Sequence, residues 1–193
     1  MQTLSQAKII ELLLIDCSTS MSPFQGELNQ ALATHVADLQ AAPNAAEIGL
    51  AAWTFSGYEP SLLVQPMPVQ QVRTPQIQHF DGGTPLYTSV RSVIELMLLM
   101  SRDIKLVLNV LTDGDDRGSH PDDLGLLRTY LVPAALQRGH TLSIVGLGID
   151  GSWIARQMGF IADGSLFVPQ TNEGFQASFK HMTMMTLGPQ ANN

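Results

Sequence analysis

A doubly wound α/β sheet is the fold expected for this chain, on three observations. The first apolar run, Lys8 to Ile15, is continuous rather than alternating, as in a parallel strand covered on both faces. Stretches whose apolar residues recur at helical spacing separate it from further strand-like runs. Strand and helix then alternate along nearly the whole chain, the rhythm of βαβ winding, which places any site at the C-terminal ends of the strands.

The elements follow in order. After Lys8–Ile15, the positions Phe24, Leu28, Leu32, Val36 and Leu39 predict a helix over 23–40, with Pro23 in its first turn and Pro43-Asn44 beyond its end. Ile48 to Phe55 is a second strand, and Leu62 to Val64 a short third one, which Pro66 and Pro68 assign to a sheet edge. Gly82-Gly83-Thr84-Pro85 opens a helix over 86–100. Ile104 to Leu111 is the next strand, followed by a helix over 121–137 that Pro133 should bend or interrupt. Thr141 to Leu147, a short helix over 153–158, a brief strand at 166–168 and a last helix over 173–185 complete the series. No internal repeat is evident.

The length of 193 residues with 45% hydrophobic content fits one domain, expected over 1–187, with 188–193 as a frayed tail. A net charge of -7 and ten scattered Lys and Arg argue against nucleic acid, which is held by clustered cations. The N-terminal residues have no secretory pattern and there is one cysteine, so a cytosolic location is expected. The most apolar window, 93–111, is broken by Glu95, Ser101-Arg102-Asp103 and Lys105, so no membrane span is expected.

Chemistry concentrates where the first strand ends. Asp16, Ser18 and Ser20 alternate there, so their side chains can converge on one small volume while Cys17 and Thr19 face elsewhere. Oxygen donors without a His or Cys cluster select a hard cation, and few anions with retained waters suit Mg²⁺. Thr84, at a helix N-terminus after two glycines, and Asp113, after the strand at 104–111, fall on loops at the same end of the sheet. The five oxygens predict a divalent metal site. The same acids leave a second reading open, a Mg²⁺-dependent phosphoryl-transfer or phosphohydrolase enzyme using Asp16, although Ser18 and Ser20 stand where a helper acid or Lys is needed.

In these three motifs, Leu14-Ile15-Asp16-Cys17-Ser18-Thr19-Ser20-Met21, Gly82-Gly83-Thr84-Pro85-Leu86 and Leu111-Thr112-Asp113-Gly114, the chain resembles the von Willebrand factor A (vWA) domain with its metal-ion-dependent adhesion site. That resemblance covers nearly all the elements in order. It implies a mostly parallel six-stranded sheet with one short antiparallel edge strand and helices on both faces. It implies that Ser18, Ser20 and Thr84 ligate Mg²⁺ or Mn²⁺ directly while Asp16 and Asp113 act mostly through water. The ion would then capture an Asp or Glu of a partner protein, with no catalysis. The Gly-Gly-Thr-Pro-Leu wording and the composition look most like bacterial intracellular members, such as those near tellurium-resistance genes, which serve in multi-protein assemblies.

Other features read as structure. Gly146-Leu147-Gly148-Ile149-Asp150-Gly151 spells a dinucleotide fingerprint, but it comes too late in the chain and predicts a tight turn. Cys17 is expected in the core, and His181 with Met182, Met184 and Met185 on a packed helix. Asp115 and Asp116 are the candidates for a rim around the site, with His120 beside them. Asp122 and Asp123 complete an acidic loop expected to be largely solvated.

Overall fold

The computed structural model describes residues 6–57, 59–161 and 164–188. Strand β1 (Ile9–Asp16) leads through a 3-10 turn at Thr19–Phe24 into helix α1 (Gln25–Ala41). Strands β2 (Ile48–Phe55) and β3 (Ser61–Pro68) precede α2 (Leu86–Leu99) and β4 (Lys105–Thr112). A helical stretch follows as α3 (Asp123–Leu126), a π turn at Leu127–Leu131 and α4 (Val132–Gln137). Then come β5 (Thr141–Leu147), α5 (Gly151–Met158), β6 (Leu166–Val168) and α6 (Asn172–Leu187). Of the expected tail only Gly188 is described, closing α6 with its N–H on the Met184 carbonyl at 3.0 Å.

The six strands form one sheet in the order β3-β2-β1-β4-β5-β6. β3 runs antiparallel to β2 and every other pairing is parallel. β3 is longer than the expected Leu62–Val64. Its prolines are tolerated because, among the described residues, no strand pairs with its outer side, so a missing N–H breaks no ladder there.

Both faces are covered. Leu13 and Ile15 pack with Leu28, Leu32 and Val36 of α1 and Phe175, Phe179 and Met182 of α6. Ile10, Leu12 and Leu14 pack on the other side with Val90, Val93 and Met97 of α2, Leu127, Ile154 and Met158. This is the period of two in a strand buried twice over, and each fully buried Leu or Ile contributes about 1.5–3 kcal/mol of transfer free energy.

One polar cluster interrupts the α1/α6 face. Glu11, fully buried, lies 2.9 Å from His35 Nε2 and accepts from Asn109 Nδ2 at 2.6 Å. His35 Nδ1 reaches Thr183 Oγ1 at 2.8 Å, and Ser143 donates to Asn109 Oδ1 at 2.5 Å. These bonds tie α1 and α6 to three central strands.

At Pro133 the regular α-helical pattern is interrupted, through a specific device. The π turn immediately before α4 widens the helix by one residue and makes room for a ring that would strike the preceding turn. Pro23 instead falls inside the 3-10 turn, so α1 begins at Gln25. Among the described residues no helix is long and apolar enough to cross a membrane.

Candidate functional site

Asp16 is the last residue of β1, and β1 lies at the centre of the sheet between β2 and β4. The Asp16 carboxylate is fully buried and both its oxygens are held. Oδ1 accepts from the Ser18 N–H at 2.8 Å, and Oδ2 from the Thr112 hydroxyl at 2.7 Å. Ser18 Oγ lies 3.1 Å from Ser20 Oγ, and Ser20 Oγ donates to Asp113 Oδ1 at 2.9 Å. Gln170 Nε2 donates to the other Asp113 oxygen at 3.2 Å. Four of the five expected residues thus form one continuous hydrogen-bonded chain.

Thr84 joins them across an open cleft of about 370 Å³, whose lining includes Ser20, Thr84, Asp113 and Asp115. Asp16 and Ser18, joined to Ser20 by hydrogen bonds, are themselves buried, 0% and 2% exposed. The Thr84 hydroxyl makes no hydrogen bond among the described residues, although the residue is only 5% exposed. Facing the open cleft, that hydroxyl is accessible to whatever enters it. A larger hollow of about 530 Å³ beside β3, lined by residues such as Leu63, Met67 and Pro75, brings no carboxylate together with such hydroxyls.

The loops that carry these groups are laced to one another. Thr19 N and Thr19 Oγ1 both donate to the Gly82 carbonyl, at 3.4 and 3.2 Å, and Asp81 N donates to the Cys17 carbonyl at 3.0 Å. Arg117 N donates to the Thr84 carbonyl at 2.7 Å. Gly82 allows this approach: its φ is +64° and a Cβ there would stand 2.9 Å from Gly57 N.

Burial dominates the electrostatics. It pushes the Asp16 carboxyl up to about 6, against the lowering effect of the Ser18 N–H and the Thr112 hydroxyl. Burial likewise raises Asp113, while Ser20 and Gln170 pull the other way. Two acids whose ionisation is penalised in this way gain from a nearby cation. No group of three or more His, Cys, Asp or Glu suited to a metal occurs among the described residues. The five expected residues offer three hydroxyls and two carboxylates, hard oxygens throughout, whose chemistry suits Mg²⁺ or Mn²⁺ rather than a soft ion. Cys17, 1% exposed with its thiol pushed up to about 12 chiefly by burial, is inert.

The acidic loop is less solvated than expected. Asp115 lines the cleft, but Asp116 is turned onto the N-terminus of α2, accepting from Tyr87 N at 3.1 Å and from the Ser119 hydroxyl. Asp123 is buried against Thr88 and pairs with Arg91 at 2.7 Å. The glycine fingerprint is a packing device: a Cβ on Gly146 would stand 2.2 Å from the Ile149 carbonyl oxygen, and one on Gly151 2.5 Å from that of Leu166. Its Gly148 and Ile149 form part of the cleft wall.

Comparison with known proteins gives no match to any family model and none to a curated protein. Solved structures do match. The pilus adhesin SpaC of Lactobacillus rhamnosus GG superposes with a TM-score of 0.72 at 13% identity, over 92% of this chain and 30% of that one. The ArnB paralog VWA2 of Sulfolobus acidocaldarius gives 0.64 at 18% identity, over 91% and 44%. The VWA domain of SpRpn10 gives 0.57 at 11% identity, over 89% and 94%. The chain has the vWA fold. At these identities the likeness is one of fold, and the chain spans less than half the length of the first two structures.

Within this vWA fold, two residues that hold the candidate site in place escape a reading of the motifs. Thr112 orients Asp16, and its signal was available: it follows Leu111, which pairs with Ile15, so it stands beside Asp16 across the two strands. Gln170 lies on the loop after β6, far from any motif, and nothing local marks it.

Proposed function

We propose that the cleft is a metal-ion-dependent adhesion site and the chain a protein-binding module. The observation that carries this is the convergence on one cleft of the Thr84 hydroxyl, without a hydrogen bond among the described residues, with Ser20 and Asp113, themselves linked to Ser18 and Asp16. Ser18, Ser20 and Thr84 would hold Mg²⁺ or Mn²⁺ through hydroxyls, with Asp16 and Asp113 behind them. Bound there, the ion supplies a Lewis-acidic position that a carboxylate of a partner's Asp or Glu can occupy.

The chain's own residues do the rest. Thr112 and the Ser18 N–H fix both oxygens of Asp16, and Gln170 and Ser20 fix Asp113, so the anions are oriented before any ligand arrives. Neutral hydroxyls leave the site short of negative charge, which favours an outside carboxylate. The same geometry speaks against phosphoryl transfer to Asp16. A phosphate acceptor needs a free, reachable carboxylate oxygen, whereas both oxygens here are engaged and buried. The motif wording supports a setting in an intracellular multi-protein assembly of the kind linked to tellurium resistance or stress.

The test is isothermal titration of Mn²⁺ into chelator-treated protein. One site per chain is expected, lost in Ser18→Ala and Thr84→Ala. The absence of binding to the wild type overturns the reading. Incubation with acetyl phosphate and intact-mass analysis should show no adduct.

A further inference from the structure

Among the described residues, one cation lines the cleft. Arg117 is exposed and lines the same cleft as Ser20, Thr84 and Asp113. The cations elsewhere on this acidic loop and α2 are spent: Arg91 pairs with Asp123 and Glu95. Arg117, by contrast, has no carboxylate within ion-pair distance among the described residues, although Asp115 is two positions away. Asp116 and Asp123, which could neutralise it, are turned into the structure.

Its backbone is as firmly placed as its side chain is free. The Arg117 N–H bonds the Thr84 carbonyl at 2.7 Å in an isolated antiparallel bridge, and its carbonyl comes within 3.0 Å of where a Gly83 Cβ would stand. The loop around it is braced by Asp116 on Tyr87 N and by Ser119 Oγ accepting from Thr88 N at 2.9 Å. A guanidinium therefore issues from a fixed point beside Thr84. Its planar fork matches a carboxylate, and its charge relieves the repulsion an acidic ligand meets from Asp113 and Asp115.

We propose that Arg117 is a second anchor of the cleft, and that the partner is a peptide segment carrying two acidic side chains, one for the metal position and one for Arg117. This rests on the metal reading above. It makes Arg117 a selector: a segment with one acid satisfies the ion alone, and a segment with two satisfies both. On a chain of net charge -7, it also gives an acidic partner a local cause for binding here.

The experiment uses blocked peptides, one with a single Glu among glycines and a set with a second Glu placed one to four residues later. Binding is followed by amide shifts at low salt with Mg²⁺ present. At least one two-acid peptide should bind about fivefold or more tighter than the one-acid peptide, the scale of a well-oriented exposed ion pair. In Arg117→Gln the advantage should fall below about twofold, the statistical gain of a second Glu. Arg117→Lys should keep part of it, as a point charge without the fork. Arg73→Gln, which removes the same charge beside β3, should leave it intact. Chelator-sensitive binding of the one-acid peptide with no gain from a second acid overturns this inference and leaves the metal reading standing. A gain that survives Arg117→Gln overturns it likewise, and no Mg²⁺-dependent binding of any peptide overturns both.

Discussion

Asp16→Asn removes a buried charge with almost no change of shape, and its effect on the metal-free protein can be worked out. The new Oδ1 accepts from the Ser18 N–H as before. The new amide N–H₂ donates to Thr112 Oγ1, whose own proton turns to the Gly114 carbonyl, 3.1 Å away. The second N–H of the new amide finds no partner among the described residues, a cost that does not vary with pH. Burial, the chief cause, holds the native carboxyl near 6 against an ordinary 3.8, a difference worth roughly 3 kcal/mol. The sign follows from the direction. A carboxyl with a raised folded pKa contributes stability that is complete below 3.8 and is lost as pH rises through about 6. Asparagine has no such loss. In chelator, urea unfolding should therefore show the variant gaining on the wild type by about 2 kcal/mol between roughly pH 4.5 and pH 7.5. A gap that stays flat with pH refutes the claim that burial outweighs the two hydrogen bonds of the Asp16 carboxylate.

Four further substitutions, at Glu11, Gly146 and Gly26, test the frame. Glu11→Ala strands His35 and Asn109 in the core and should cost about 3–5 kcal/mol by urea unfolding, whereas Glu11→Gln keeps an acceptor for Asn109 and a donor for His35 Nε2 and should stay within about 1 kcal/mol. Gly146→Ala drives a Cβ against the Ile149 carbonyl at 2.2 Å and should cost about 2 kcal/mol or more, while Gly26→Ala in α1, with nothing within 4 Å, should be neutral or stabilising, both read from melting curves.

The sheet was legible because its signals are local. A buried parallel strand is a short apolar run, and the five parallel strands occur as such runs with turn residues between them. Pro66 and Pro68 announced the edge for a physical reason that held. The three motifs were legible because each sits at a strand end or a helix start, and the sheet order brings those ends together. What stayed hidden depends on pairing across distance. Glu11 lies inside an apolar run and looks like an exposed exception until His35 and Asn109 arrive from α1 and β4. Asp116 and Asp123 read as solvated because their partners, the Tyr87 N–H, Thr88 and Arg91, lie about 30 residues earlier in the chain. Arg117 is one scattered basic residue in the sequence, and only the bridge to Thr84 shows where it stands.

The central claim is that the cleft binds a divalent ion through hydroxyls, and the melting temperature reads it most directly. At an ion concentration about 100 times the dissociation constant, one site stabilises the fold by about 2.7 kcal/mol, or roughly 5 to 10 °C for a domain of this size. Mg²⁺ or Mn²⁺ should raise the wild-type melting temperature by that much over its value in chelator. Ser18→Ala and Thr84→Ala should melt cooperatively yet show no such rise. A wild type whose melting is indifferent to both ions, or variants that gain as much as the wild type, would contradict the account.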